Sequence, residues 1–428
     1  MTDALQHLPV AVVGGGQAGL SVSCCLKQRD IAHLVFEKNR AMHVWSTKRW
    51  DSFCLVTPNW QCQLPGHPYD GDDPDGFMKR EEIIAWLARF RAKIDAPLRE
   101  GVCTQRVAAN ASGGYDVATS DGAFTADNVV VASGGYVVPI VPRAAERLPH
   151  GVVQLQSEQY RNPESLPDGA VLVVGSGQSG AQIAEDLHLA GRKLHLAVGA
   201  APRCARFYRG KDVVKWLAEM NYYDMPVEKH PLREGVRDNT NHYVTGRDGG
   251  RDIDLRKFAR EGMTLHGQLQ EIDGEVVTFA PTLRKALDEA DRIYNGINAS
   301  IDKFIAERGV AAPPPSTYRP VWEPQDEPVS LDLAAAGIAS IIWCIGFRPD
   351  FRWLDVPVFN GAGQPQHRRG VTRAPGLYFV GLPWLHTWGS GRFSGVARDS
   401  GFIADHIAER LDAAERPRIM PTLRVGQR

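Results

Sequence analysis

The sequence of 428 residues has no apolar run long enough to cross a membrane and no excess of charge of either sign. Its longest apolar run, Leu333 to Phe347, has 15 residues, fewer than the ~20 that a membrane-spanning helix needs. Lys and Arg number 49 against 50 Asp and Glu, which argues against nucleic acid or an anionic membrane as the main partner. We therefore expect no nucleic-acid partner, no membrane segment and no signal peptide.

The cysteine and histidine patterns are also informative by what they lack. None of the seven cysteines forms a Cys-x-x-Cys pair, which argues against a zinc site or a redox dithiol. The 13 histidines include no His-Glu-x-x-His motif. We predict no metal, and reduced thiols in a cytoplasmic protein.

Two segments, 10–19 and 171–180, follow the same plan: a short apolar strand, a Gly-x-Gly-x-x-Gly turn and a helical pattern. In such a unit the first glycine permits the tight turn, the second lets the backbone approach a pyrophosphate, and the third packs helix on strand. The helix N-terminus attracts the phosphates. The alternative is a pair of purely structural turns. We predict two dinucleotide sites, formed by Gly14, Gly16, Gln17, Ala18 and Gly19, and by Gly175, Gly177, Gln178, Ser179 and Gly180.

The residue that ends the second strand of each unit discriminates between cofactors. Glu37 follows Gly19 by 18 residues, where an acid binds a ribose 2′-hydroxyl, and this favours FAD. The second unit ends its strand without an acid, and Arg203, Arg206 and Arg209 follow. Guanidinium groups suit the 2′-phosphate of NADPH, although an ordinary basic surface loop would have the same sequence. We predict FAD at the first site and NADPH at the second.

The order of the motifs predicts an α/β fold with two Rossmann-like dinucleotide-binding domains. We expect a discontinuous FAD domain, residues 1–145 and 331–428, with the NADPH domain, residues 146–330, inserted between its parts. Apolar residues at spacings of three and four between 283 and 305 predict a long packing helix. The substrate is expected in the cleft between the domains.

Further segments carry a resemblance to a known family. The two turns are separated by Val-Ala-Ser-Gly-Gly-Tyr at 131–136 and followed by Cys-Ile-Gly-Phe-Arg-Pro at 344–349. In this order they resemble the class B flavin-dependent monooxygenases, which include flavin-containing monooxygenases, plant YUCCA enzymes and bacterial relatives. Segments 50–66 and 207–212 are similar to a bacterial subgroup, which we expect to be encoded beside a nitrilase. One departure is Gln156, which stands where the family fingerprint has a histidine.

The resemblance implies the chemistry. NADPH would reduce the flavin, O2 would form a C4a-(hydro)peroxyflavin, and a nitrogen or sulfur atom of a small molecule would take one oxygen atom. We also expect a homodimer. Asn59 would lie beside the flavin ring as the candidate catalytic residue, although a turn residue after Pro58 is the alternative. Further FAD contacts implied by the resemblance are Lys38, Trp45, Val107, Ser133, Gly134, Gly346, Phe347, Gly381 and Leu382.

Some assignments stay open from the sequence alone. His386, Trp388 and Arg392 could line the active site, or the aromatic residues could belong to the core. A pyridine-nucleotide disulfide reductase shares the two-site plan, but the adjacent Cys24 and Cys25 lack the spacing of its dithiol. The motifs are also compatible with an NADPH oxidase, with a Baeyer–Villiger-type ketone oxidation and with a non-catalytic flavin-binding protein.

Overall fold

The computed structural model describes residues 6–415. Nine α-helices form in this range: α1 Gln17–Lys27, α2 His43–Thr47, α3 Arg80–Ile94, α4 Gln178–Leu189, α5 Val213–Glu219, α6 Leu255–Arg260, α7 Leu283–Arg308, α8 Leu333–Ala336 and α9 Val396–Glu415. The described strands are β1 Gln6–Val13, β2 His33–Glu37, β3 Gln63–Leu64, β4 His67–Pro68, β5 Leu98–Glu100, β6 Thr104–Ala109, β7 Tyr115–Thr119, β8 Gly122–Val131, β9 Val138–Pro139, β10 Val153–Gln156, β11 Ala170–Val174, β12 Leu194–Ala197, β13 Phe207–Tyr208, β14 Lys211–Asp212, β15 Thr264–His266, β16 Leu269–Asp273, β17 Val276–Phe279, β18 Ser330–Asp332, β19 Ile338–Trp343, β20 Phe347–Arg348, β21 Leu354–Asp355, β22 His367–Arg368, β23 Val371–Thr372 and β24 Leu377–Phe379.

Two sheets organise the molecule. The larger one has the order β21-β6-β7-β8-β1-β2-β5, and β24 pairs with β8 beside it. The second has the order β10-β19-β11-β12-β15, and all of its strands are parallel. Their central strands are apolar and buried where they approach the glycine turns, over residues 10–13 of β1 and along the whole of β11, as is typical of parallel strands in the core.

The two sheets repeat one unit. The order β8-β1-β2-β5 in the first corresponds to β19-β11-β12-β15 in the second. In each unit a helix, α1 or α4, begins after the glycine turn that ends the central strand. The predicted α/β fold with two dinucleotide-binding units is present, and each unit places its glycine turn at the carboxyl end of its sheet, where such folds bind ligands.

The boundary at which the chain returns to the first domain lies further along the sequence than residue 331, where we predicted it. We expected residues 331–428 to belong to the first domain, but β19 pairs with both β10 and β11 in the second sheet. The short strands β9 and β20 then pair antiparallel in a ribbon between the two sheets, and β21 returns to the first sheet beside β6. The return therefore follows Trp343, because the buried strand 338–343 completes the parallel order of the second sheet. The other domain boundaries remain predictions.

The predicted long helix is α7, whose buried positions include Leu287, Ile301 and Ile305. It packs on the second domain, where the loop after β12 also lies. Across residues 6–415, no helix is both long enough and apolar enough to cross a membrane.

Candidate functional site

The first glycine turn is shaped by two very close backbone approaches. Gly14 has a φ of +111°, and a Cβ atom there would lie 2.6 Å from the carbonyl oxygen of Ala132. A Cβ atom at Gly19 would lie 1.8 Å from the carbonyl oxygen of Gly14. Gly16 differs, because nothing lies within 4 Å of its Cβ position. The first and third glycines therefore hold the turn together, and the second faces open space at the N-terminus of α1, where a pyrophosphate fits.

The second turn repeats this geometry closely. A Cβ atom at Gly175 would lie 2.6 Å from the carbonyl oxygen of Cys344, and one at Gly180 would lie 1.9 Å from that of Gly175. At Gly177 the nearest atom is the Thr240 methyl group, at 3.5 Å. The molecule thus has two cradles of the same construction, and the residues around each fit a dinucleotide.

The two cradles differ at the residue after the second strand of each unit. The Glu37 carboxylate accepts hydrogen bonds from the backbone N–H groups of Gly15 (2.7 Å) and Asn39 (2.8 Å), which fixes it at the first turn. In the second unit Val198 takes this place, and the Ser176 hydroxyl bonds the Gly199 N–H at 3.0 Å instead. Only the first of these turns therefore offers a carboxylate to a ribose.

The C-terminal part of the chain closes the first cradle. Gly381 has a φ of +82°, and a Cβ atom there would lie 2.4 Å from the Cβ atom of Ala18. The Gln17 side chain donates to the Gly391 carbonyl (3.2 Å) and accepts from the Trp45 indole (3.2 Å). The Ser133 hydroxyl beside this turn is buried and has no partner among the described residues. It is a polar atom that a bound cofactor would satisfy.

The other predicted contact residues occupy varied places. Gly134 has open space at its Cβ position, Leu382 is buried and Lys38 is exposed. Ser179 lies in the first turn of α4, whereas Gly346 and Phe347 lie at the start of the ribbon between the sheets. Val107 does not fit its predicted role. Val107 lies on β6 and its side chain is buried in the hydrophobic core. Its N–H donates to the Trp353 carbonyl at 2.8 Å.

The arginines predicted to bind the NADPH phosphate are internal. Arg203 is 2% exposed and its guanidinium lies 3.2 Å from Asp254 and 3.5 Å from Asp291. Arg206 is 1% exposed and makes two bonds to Asp212, at 2.5 and 2.7 Å. This prediction was wrong for both, because the loop after β12 turns inward and its charges are neutralised by these carboxylates.

Arg209 is also occupied, although it is less deeply buried. Its guanidinium bonds Asp302 of α7 at 2.9 Å and the Pro313 carbonyl at 2.6 Å. These partners hold the arginine against α7, and the structure gives no support for a phosphate contact here.

Asn59 is a structural turn residue. It is 3% exposed. Its amide nitrogen donates to the Asp73 carbonyl (2.9 Å) and its amide oxygen accepts from the Met78 N–H (2.7 Å). Because the side chain fixes the backbone of the loop around it, the predicted catalytic role gives way to the alternative of a turn residue.

Asp186 on α4 links the two domains and was missed by the sequence analysis. Its carboxylate accepts from Ser52, Tyr160 and Arg247, each at 2.6 Å. Burial, together with the bond to Asp186, raises the pKa of the Tyr160 phenol. A carboxylate within the buried stretch of α4 was the available signal, because a buried charge is expected to have partners.

Comparison with known proteins finds similar oxidoreductases. A family model described as pyridine nucleotide-disulphide oxidoreductase matches residues 11–222. An uncharacterized CzcO-like oxidoreductase of Geobacillus kaustophilus is 29% identical over 414 residues, covering 94% of this chain and 99% of its own. Indole-3-pyruvate monooxygenase YUCCA4 of Oryza sativa subsp. japonica is 30% identical over 203 residues, covering 43% of this chain and 46% of its own.

A solved structure has the same fold over the whole chain. The flavin-containing monooxygenase from Stenotrophomonas maltophilia superposes with a TM-score of 0.64 at 18% identity, covering 95% of this chain and 100% of its own. These similarities support the resemblance to the class B flavin-dependent monooxygenases. The predictions of this family, of an oxidoreductase, and of FAD and NADP as its cofactors agree with these similarities.

The segment around Arg392 lies between the two glycine turns, because the Gly391 carbonyl accepts from Gln17 and the Arg392 guanidinium donates to Asn241. Arg392 bonds Asn241 at 2.7 Å and lies 3.9 Å over the ring of Trp388. Phe393 stacks on Trp45 with 5.0 Å between ring centroids. No motif marks Asn241 in the sequence, because it belongs to an irregular segment that contacts Arg392 only in the folded chain. Within residues 6–415, no group of three His, Cys, Asp or Glu side chains is placed to hold a metal ion.

Proposed function

We propose that this chain is an NADPH-dependent flavin monooxygenase that inserts one atom of O2 into a nitrogen or sulfur atom of a small molecule. The observation that carries the proposal is the pair of matching glycine turns, at Gly14–Gly19 and Gly175–Gly180, which the segment around Arg392 connects. Bound FAD, reduced by NADPH, supplies the activation of O2. A cytoplasmic location and a homodimer remain predictions.

The residues of the first cradle would hold FAD. The backbone at Gly16 and the N-terminus of α1 would receive the pyrophosphate, and the Glu37 carboxylate would accept from a ribose hydroxyl. Gly381, which follows β24, would let the chain pass close to the cofactor, since the Gly381 backbone lies against Ala18 at the start of α1. The bond from Trp45 to Gln17 would fix the indole beside the flavin end of the cleft.

The second cradle would hold NADPH. Gly177 would approach the pyrophosphate. Thr240 lies over Gly177, and Gln178 would hold the segment 240–244 in place through its bond to the Val244 carbonyl (2.7 Å). Val198 at the end of β12 puts no carboxylate beside the ribose, so nothing there repels a 2′-phosphate. This favours NADPH over NADH without assigning the phosphate to a particular arginine.

A matched pair of substitutions tests the two assignments separately. Gly16 and Gly177 have φ values of −78° and −65°, so any residue can adopt their backbone conformation. Each has room for a side chain. Gly16→Asp should abolish FAD binding, because its carboxylate would occupy and repel the pyrophosphate site. Gly177→Asp should keep FAD but prevent NADPH from bleaching the flavin, while dithionite still reduces it.

The control adds the same charge elsewhere. Gly151 is exposed and nothing lies within 4 Å of its Cβ position, so Gly151→Asp should behave like the wild type in both assays. Unfolding of each variant is compared with that of FAD-stripped wild-type protein, which separates lost binding from lost folding. Normal FAD retention by folded Gly16→Asp, or normal bleaching of Gly177→Asp by NADPH, would refute the corresponding assignment.

A disulfide reductase is disfavoured by the state of the two adjacent cysteines. Cys24 and Cys25 are both buried in α1. Burial raises the pKa of both thiols, that of Cys25 to about 12. Thiols in this state form little of the thiolate that disulfide exchange requires. An oxidase differs from a monooxygenase in releasing one hydrogen peroxide for each NADPH even when the substrate is present.

A further inference from the structure

Arg392 occupies the gap between the two glycine turns. It follows Gly391, whose carbonyl accepts from Gln17 at the start of α1. Its guanidinium donates to Asn241 at 2.7 Å and to the Trp388 carbonyl. Asn241 is next to Thr240, which covers Gly177 in the second turn. Arg392 therefore lies between the two cradles.

The charge of Arg392 has no counter-ion among residues 6–415. No Asp or Glu oxygen in that range lies within 4.0 Å of its guanidinium nitrogens, which bond neutral oxygens instead. Arg203 and Arg206, which are buried elsewhere in the molecule, each contact at least one aspartate. A half-buried cation without an anion is unfavourable, so the position suits an anionic ligand.

The surroundings of Arg392 are aromatic. Its guanidinium lies over the Trp388 ring, and the Tyr223 ring is 4.4 Å from that ring. Tyr222 packs edge-on against Tyr223, and Tyr136 is largely exposed. Burial lowers the pKa of the Arg392 guanidinium, and the nearby tyrosines oppose this effect. These aromatic side chains suit a ligand that has an apolar or aromatic body next to a group that pairs with the arginine.

We propose that Arg392, held by Asn241, binds the carboxylate of the substrate, so that the substrate is an organic acid with an apolar or aromatic body. The planar guanidinium suits a carboxylate because it can donate two parallel hydrogen bonds. The proposal rests on the proposed function, since it places the substrate in the cleft between the cofactor cradles. A cofactor is the other source of an anion here, through a phosphate of NADPH or the reduced flavin.

The test measures binding to the oxidised FAD-loaded protein in the presence of NADP+. The probes are 3-phenylpropionate and 3-(phenylthio)propionate, each paired with its carboxamide, and the readout is the perturbation of the flavin spectrum. We expect the wild type to bind at least one acid about tenfold or more tightly than its amide, as for a hydrogen-bonded charge pair. Arg392→Gln should remove this preference, and Arg392→Lys should restore part of it.

Arg398→Gln is the matched control. Arg398 is on the same segment but is exposed and paired with Asp224, so its removal should leave the acid preference intact. If neither acid is preferred over its amide by the wild type, or if Arg392→Gln keeps the preference, the proposal is wrong.

Two further measurements on Arg392→Gln identify the source of the anion. A loss of NADP+ affinity, or a shift in the flavin reduction potential, with the acid preference unchanged would assign the anion to the cofactor and overturn the proposal. Because the spectral readout requires bound FAD but no reduction of the flavin, failure of NADPH to reduce the flavin would refute the proposed function without deciding this one.

Discussion

Replacing Arg203 by methionine tests whether this arginine stabilises the fold or binds NADPH. In the structure the guanidinium lies between Asp254 and Asp291 and over the rings of Tyr294 (4.5 Å) and Tyr318 (4.0 Å). Methionine fills much of the same volume but leaves the two carboxylates without this cation. Asp291 keeps its bond to Arg256 at 2.8 Å, so the network is weakened rather than abolished.

The expected loss follows from the burial of this network. Removing one partner of a buried ion pair costs about 3–5 kcal/mol, because it leaves the other charge uncompensated. For a domain of this size each kcal/mol lowers the Tm by roughly 2–4 °C. We therefore expect the Tm of Arg203→Met to fall by roughly 6–20 °C, while the Kd for NADPH of the folded protein stays near that of the wild type.

Differential scanning calorimetry on the FAD-loaded protein measures the first quantity, and NADPH-dependent bleaching of the flavin measures the second. Arg292→Met is the control, because Arg292 is exposed on α7 and pairs with Glu289 on the same helix. Its loss should change stability little. An unchanged Tm for Arg203→Met together with a large rise in the Kd for NADPH, but not for NADH, would refute the reasoning and return Arg203 to the phosphate site.

Three further predictions concern Asp186, His266 and Glu37. Asp186→Ala removes an acceptor of three hydrogen bonds, one of them from Ser52 in the other domain, and should lower the free energy of unfolding by about 3 kcal/mol, measured in urea, whereas exposed Asp326→Ala should have little effect. Burial lowers the pKa of His266 to about 4. The unfolded chain therefore takes up a proton first as the pH falls below about 6.5, so stability should fall by roughly 2 kcal/mol between pH 7 and pH 5. His266→Gln should reduce this pH dependence, and an unchanged slope would contradict the assignment. Glu37→Gln should weaken FAD retention in gel filtration by about tenfold, because a ribose hydroxyl loses a charged acceptor; full retention would contradict the role of Glu37.

The features that were predictable from sequence are those fixed by local backbone geometry. Gly14 and Gly19 must be glycine because a Cβ atom at either would collide with a carbonyl oxygen a few residues or one strand away. The same holds at Gly175 and Gly180, so the two turns could be recognised and the two-domain fold followed from them. The apolar spacing of α7 was informative for the same reason, since helix packing has a fixed period.

The features that could not be predicted depend on residues distant in the chain. Arg203 looked like a surface cation, but its partners Asp254 and Asp291 lie 51 and 88 residues further on. Asn59 has both amide atoms bound by backbone groups of Asp73 and Met78, which its neighbours in sequence do not reveal. No local pattern shows whether a polar side chain turns toward a cofactor or into the protein.

The most direct test of the account is the flavin spectrum in a double-mixing experiment. The FAD-loaded protein is first mixed with NADPH without oxygen and then with oxygenated buffer. The account predicts that NADPH bleaches the flavin, and that oxygen then gives a species absorbing between the reduced and oxidised spectra before oxidised flavin returns. A flavin that stays oxidised at saturating NADPH would contradict the account. So would direct return to oxidised flavin with one hydrogen peroxide formed for each NADPH.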